Sequence, residues 1–155
     1  MSLFLAEAYF HTLDPDAISL WGKFSVKWYG LSYAMGFLLS WLFFRWMAKT
    51  DRSPLSVQGA GDLMFYMILG VLLGGRLGYV VFYDPMLFIT FTSKAPFWGL
   101  LAINQGGMSS HGGIIGVIIA VCMFCRSHSL SKLHMLDLST LASTAGLMLG
   151  RLANF

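Results

Sequence analysis

Four long apolar stretches, almost free of charge, constrain this chain more than any other feature. They run from Trp28 to Phe44, closed by Arg45, from Leu63 to Tyr83, from Gly106 to Cys125 and from Leu138 to Phe155. Each approaches the roughly 20 residues an α-helix needs to cross the hydrocarbon core of a bilayer. The runs are continuous rather than alternating, which argues for helices and against a β-barrel. The expected fold is therefore an all-α integral membrane protein with about four spans, near 28–45, 63–83, 106–125 and 138–155. Residues 1–27 are expected as a segment on the outer face.

Composition agrees. Of 155 residues, 57% are hydrophobic and 11% charged, against about 25% charged in an ordinary soluble domain. A net charge of +3 without any Lys/Arg run interleaved with aromatics excludes nucleic acid as a partner. Cys122 and Cys125 form no disulfide framework and read as small buried hydrophobes. The N-terminus, with Glu7 and no basic residue ahead of its apolar stretch, does not read as a cleaved signal.

The connections carry the polar residues. Trp46 to Gly61 holds Lys49, Asp51, Arg52 and the breaker Ser53-Pro54. Asp84 to Gln105 is longer, with aromatic segments suited to a membrane interface. Basic residues mark the cytoplasmic side of a span. Arg45, Lys49, Arg52, Arg126 and Lys132 fall on one side, and Lys23, Lys27 and Lys94 on the other. This favours an outside N-terminus. Gly70, Gly74 and Gly78 are spaced by four, as are Gly112 and Gly116, and Gly146 and Gly150. That spacing suits close helix packing.

Depth singles out the polar residues within the spans. Arg76 lies 13 residues after Leu63, and Arg151 lies 13 after Leu138. Each is therefore about 20 Å along its helix. Tyr29 and His111 stand near the starts of spans running the other way. All four belong to the outer part of the bilayer. Charges inside hydrocarbon face the bundle interior and need partners. Asp84 is the only nearby acid; a lipid phosphate would also match the guanidinium forks. Snorkelling of Arg76 to the outer headgroups, or pairing with Asp84, is the plainer reading of that residue. His111 sits among four glycines in Gly106-Gly107-Met108-Ser109-Ser110-His111-Gly112-Gly113. Such a segment implies partly irregular backbone before the third span, tolerated only beside protein or a watery cavity. A lone histidine is more often structural, although imidazole takes up protons near neutral pH.

Several motifs, in their order and spacing, resemble the prolipoprotein diacylglyceryl transferase family. They are Trp28-Tyr29-Gly30-Leu31, Leu73-Gly74-Gly75-Arg76-Leu77-Gly78-Tyr79, Gly106-Gly107-Met108-Ser109 with His111-Gly112-Gly113, and Gly150-Arg151-Leu152-Ala153-Asn154-Phe155. Members of that family continue past the Asn-Phe with further spans, a periplasmic head region and a second essential arginine. The chain thus looks like the N-terminal part of such a protein.

The resemblance implies transfer of a diacylglyceryl group from phosphatidylglycerol to the lipobox cysteine of a prolipoprotein signal peptide, at the bacterial inner membrane. His111 and Arg151 are the expected catalytic residues. Arg151, Tyr29, Asn154 and Arg76 are the expected substrate contacts. No metal or cofactor is expected, and membrane lipids are expected partners. Two alternatives stand beside it: a small helical transporter or channel subunit with the arginines lining an anion path, or an inactive fragment with the family's fold.

Overall fold

In this computed structural model the described residues are 16–19, 25–93, 96–103 and 106–153. Among them are four helices: α1 Trp28–Lys49, α2 Val57–Phe82, α3 Ser110–Ser127 and α4 Lys132–Ala153. A short antiparallel ribbon precedes them, β1 Asp16–Ser19 paired with β2 Ser25–Lys27. The ribbon lies outside the continuous apolar runs, where polar and apolar residues alternate, so it does not conflict with the helical reading of those runs. Residues 1–15 and 20–24 of the expected outer-face segment lie outside the described residues.

The helices and the apolar stretches do not share boundaries, because apolar length marks contact with a greasy surrounding whereas a helix ends where its hydrogen bonds end. Helix α2 begins at Val57, ahead of Leu63, because Ser56 holds extended backbone and its hydroxyl accepts the Gly59 N–H at 2.9 Å. Helix α4 begins at Lys132, so its first turns are polar. Helix α3 starts later than its apolar stretch, at Ser110. Gly106 and Gly107 have φ of 86° and 79°, a left-handed conformation that no α-helix contains.

The helices associate chiefly as two antiparallel pairs, α2 with α3 and α1 with α4. Gly70 lies against Gly116 and Ala120, and Gly78 against Gly112. A Cβ on Gly74 would come within 2.7 Å of the Gly116 Cα, so this crossing is backbone against backbone. In the other pair, a Cβ on Gly36 would stand 2.7 Å from the Gly146 Cα. One turn further on, the buried Ser40 hydroxyl bonds the Gly36 carbonyl (2.8 Å) and the Ala142 carbonyl (2.9 Å), tying α1 to α4.

Away from these glycine crossings, large side chains fill the space. Phe44, Leu63, Val121, Phe124 and Met135 are fully buried in one cluster that also takes in Cys125. Tyr66 meets Phe124 edge-to-face at 5.6 Å. Both cysteines are free thiols.

Much of the remaining apolar surface points outward, including Phe65, Leu69, Leu73 and Leu77 on α2 and Ile114, Ile115, Ile118 and Ile119 on α3. Helices α2 and α3 are long and apolar enough to cross a membrane, with mean hydropathy of 1.7 and 1.5 over their most apolar windows. Only 28% of each window is buried inside the protein, so these are not the enclosed core helices of a water-soluble domain.

Candidate functional site at the loop end of the helices

The loop between α2 and α3 has little regular structure, and its backbone polar groups need partners. Part of the need is met locally. Two short 3₁₀ turns, Pro85–Phe88 and Gly99–Leu101, flank a bridge between Phe91 and Trp98. The Trp98 indole N–H donates to the Phe88 carbonyl at 2.9 Å, and the Phe91 and Trp98 rings stack at 6.1 Å. The Gly99 N–H reaches the Thr90 carbonyl at 2.8 Å.

Arg76 meets much of the rest. It stands near the loop end of α2 and is 5% exposed. Its Nε–H donates to the Leu100 carbonyl at 2.8 Å, and Nη2 donates to the Gly99 carbonyl at 2.6 Å. Nη1 donates to the carbonyls of Gly106 (2.6 Å) and Gly107 (2.8 Å). A guanidinium has five N–H groups, so these bonds leave one without a partner among the described residues. The arrangement solves two problems together: a buried cation gains four carbonyl dipoles, and four carbonyls of irregular backbone gain donors. The Tyr79 ring flanks the guanidinium with its centroid 5.7 Å from Cζ, and Tyr83 stacks on Tyr79 at 5.5 Å.

The lead-in to α3 is held from the same place. The Ser109 N–H donates to the Gly75 carbonyl at 2.8 Å, and the Ser109 hydroxyl accepts the Gly112 N–H at 3.2 Å, capping α3. His111 follows in the first turn, its side chain exposed. Under the loop a cavity of about 150 Å³ is lined by Arg76, Tyr79, Asp84, Leu87, Gly106 and Gly107.

Helix registers place the other candidates. Gly36 faces Gly146, so Tyr29, seven residues before the one, lies level with Ala153, seven after the other. The α2 and α3 contacts put residues 76 and 111 at similar height. The indole nitrogen of Trp41, near the end of α1, lies next to Gly61, near the start of α2, and the connection from Lys49 to Val57 is short, so α1 and α2 run in opposite directions. The starts of α1 and α3 and the ends of α2 and α4 therefore share one end of the molecule.

Their side chains behave differently. Arg76, read from the sequence as a headgroup ligand or a snorkelling residue, turns inward onto the loop. His111 and Arg151 are exposed, and neither forms a hydrogen bond or ion pair with any described residue. Arg151 lies in the last turn of α4, where the helix dipole favours a cation. Asn154 and the Tyr29 side chain lie outside the described residues. Sequence reasoning passed over Ser109 and the carbonyl of Gly75. A serine just ahead of the apolar run was a visible cap signal, but a backbone carbonyl leaves no mark in a sequence.

Glycine-packed helices with an apolar exterior, a buried arginine under an irregular loop and exposed His and Arg side chains at one end define a class. It is a helical protein suited to lipid surroundings that gathers polar chemistry at one end. The chain belongs to the prolipoprotein diacylglyceryl transferase family, whose sequence profile matches residues 15–155. It is 50% identical over 145 residues to the phosphatidylglycerol--prolipoprotein diacylglyceryl transferase of Bdellovibrio bacteriovorus, covering 94% of this chain and 41% of that protein. The enzyme of the same name from Rhodospirillum rubrum is 42% identical over 147 residues, covering 94% of this chain and 52% of that protein. That from Legionella pneumophila (strain Lens) is 43% identical over 143 residues, covering 92% and 54%. The chain thus spans about half the length of the curated relatives it matches.

Proposed function

We propose that this chain forms the membrane-embedded N-terminal part of an enzyme that transfers the diacylglyceryl group of phosphatidylglycerol to the lipobox cysteine of a prolipoprotein. The observation that carries the reading is the family match over residues 15–155, joined to the placement of residues 29, 76, 111 and 151 at one end.

All four helices cross the bacterial inner membrane in this reading. Helix α4 is the most polar, but its hydroxyls bond the helix's own carbonyls: Ser139 to Met135 (2.7 Å), Thr140 to Leu136 (2.9 Å), Ser143 to Thr140 (2.8 Å) and Thr144 to Leu141 (2.7 Å). Those groups enter lipid already satisfied. Arg45 and Arg52 pack over Trp41 and Trp46 near the other end, which suits a cytoplasmic interface. The shared end with His111 then faces outward, where a translocated cysteine emerges.

The chemistry follows from what a thiol needs. A cysteine with a pKa near 8.5 is mostly protonated at neutral pH, and a base must take its proton. The exposed His111 imidazole serves as that base. The thiolate sulfur attacks the diacylglyceryl carbon, a C–S bond forms, and the bond from that carbon to the phosphate oxygen breaks. Glycerol phosphate departs with the electron pair, and Arg151 stabilises the charge growing on it. Tyr29 and Asn154 hydrogen-bond the lipid glycerol or orient the catalytic groups, and Arg76 acts from beneath the loop through the backbone carbonyls it holds.

The test uses the full-length protein. His111→Gln and Arg151→Ala should each lower diacylglyceryl transfer to a lipobox peptide by about 100-fold or more, followed by mass spectrometry. Arg151→Ala should also reduce co-purified phosphatidylglycerol. Normal turnover in both variants would discard the mechanism.

A further inference from the structure

We infer that Arg76 is a positioning residue that aims His111 by clamping the loop leading into α3, rather than a ligand for the lipid headgroup. The inference rests on the reading of His111 as the base.

Four of the five N–H groups of Arg76 are already bonded, all to backbone carbonyls. A fork occupied in this way has little capacity for the paired contacts that make arginine a good phosphate ligand. What it holds is specific. Gly99 and Leu100 lie on one flank of the guanidinium, and Gly106 and Gly107 on the other. The neighbouring residue completes the grip, since the Gly75 carbonyl accepts the Ser109 N–H at 2.8 Å. Residues 75 and 76 therefore fix Gly106 to Ser109. Ser109 caps α3, and His111 stands two residues later. The path from Arg76 to the imidazole is short and runs through backbone.

Gly107 shows how closely the strap sits on the clamp. Its φ is 79°, and an added Cβ would fall 2.6 Å from the Tyr79 ring and 2.8 Å from Arg76 Nη1. Lysine could not replace Arg76, because three donors on one nitrogen cannot reach carbonyls on opposite flanks.

The experiment compares Arg76→Lys, Arg76→Ala and Gly107→Ala in the full-length protein, with two readouts. Hydrogen exchange of the amides from Gly106 to Gly112 reports the clamp without needing activity. Arg76→Lys should raise it about tenfold or more, the scale of losing charge-assisted bonds to buried carbonyls. Gly107→Ala, which keeps the arginine but pushes the strap off it, should raise it too. The second readout is kinetic: kcat should fall about tenfold or more while KM for phosphatidylglycerol stays within about twofold, because the base is misaimed and the lipid site is intact. Added guanidinium ion at tens of millimolar should restore protection and kcat to Arg76→Ala but not to Gly107→Ala, where the cradle is already filled. Unchanged exchange in Arg76→Lys overturns the clamp. Faster exchange with normal kcat overturns the positioning of His111, and a raised KM with normal kcat assigns Arg76 to the headgroup instead. Failure of the base assignment alone appears separately, as normal turnover in His111→Gln.

Discussion

The two ends of this helix bundle are built by opposite means. At one end Phe44, Leu63, Phe124 and Met135 interdigitate as large buried side chains. Towards the other, Gly70, Gly74, Gly78, Gly112 and Gly116 bring backbones together, and beyond them a buried arginine holds an irregular loop. Large side chains can shift rotamers to absorb a change in a neighbour. Backbone against backbone has no such slack. The rigid, close-packed end is also where the candidate catalytic residues stand, which suits chemistry that depends on placement to within an ångström or less.

This contrast should appear in stability. Gly116→Leu ought to be the most damaging of three test changes, because its Cβ would overlap the Gly70 carbonyl and stand 2.9 Å from the Gly74 Cα. A loss of about 3 kcal/mol or more is expected, seen as a collapse of thermal stability and monodispersity of the full-length protein in detergent. Phe124→Ala, at the other end, should be milder. In lipid the unfolded helices stay in apolar surroundings, so the cavity term dominates and the loss is about 2 kcal/mol. If Phe124→Ala matched Gly116→Leu in the same melt, the claimed difference between the ends would not exist.

Ser40→Ala probes the ground between them, where one hydroxyl bridges α1 and α4. On the proposed membrane placement of α1 and α4, where interhelical hydrogen bonds contribute about 0.6 kcal/mol on average, a small fall in the melting temperature is expected. A loss as large as that of Phe124→Ala would show that the α1–α4 pair relies on hydrogen bonding more than on the Gly36–Gly146 contact.

The helices themselves were legible because apolar length is a property of sequence alone. Their ends were less so. The polar first turns of α2 and α4 look like connection by hydropathy, and only the cap at Ser56 betrays the start of α2. The glycines at spacing four announced close approach without naming partners; the pairing of Gly74 with Gly116 and of Gly36 with Gly146 emerges only when the helices dock. His111 and Arg151 could be nominated from depth and motif, as could the shared level of residues 76 and 111.

The direction of the Arg76 side chain lay beyond any reading of the chain. Intramembrane depth shows that its charge needs oxygen partners, and a phosphate, Asp84 or open water would each have met that need. The partners it takes are the carbonyls of Gly99, Leu100, Gly106 and Gly107. Every residue carries a carbonyl, so no pattern of side chains distinguishes these four. Local composition and hydropathy were enough to nominate the helices and the shared height of residues 76 and 111. Which oxygens surround the buried cation depended on how the loop folds back over α2, a matter of three-dimensional packing and hydrogen-bond satisfaction.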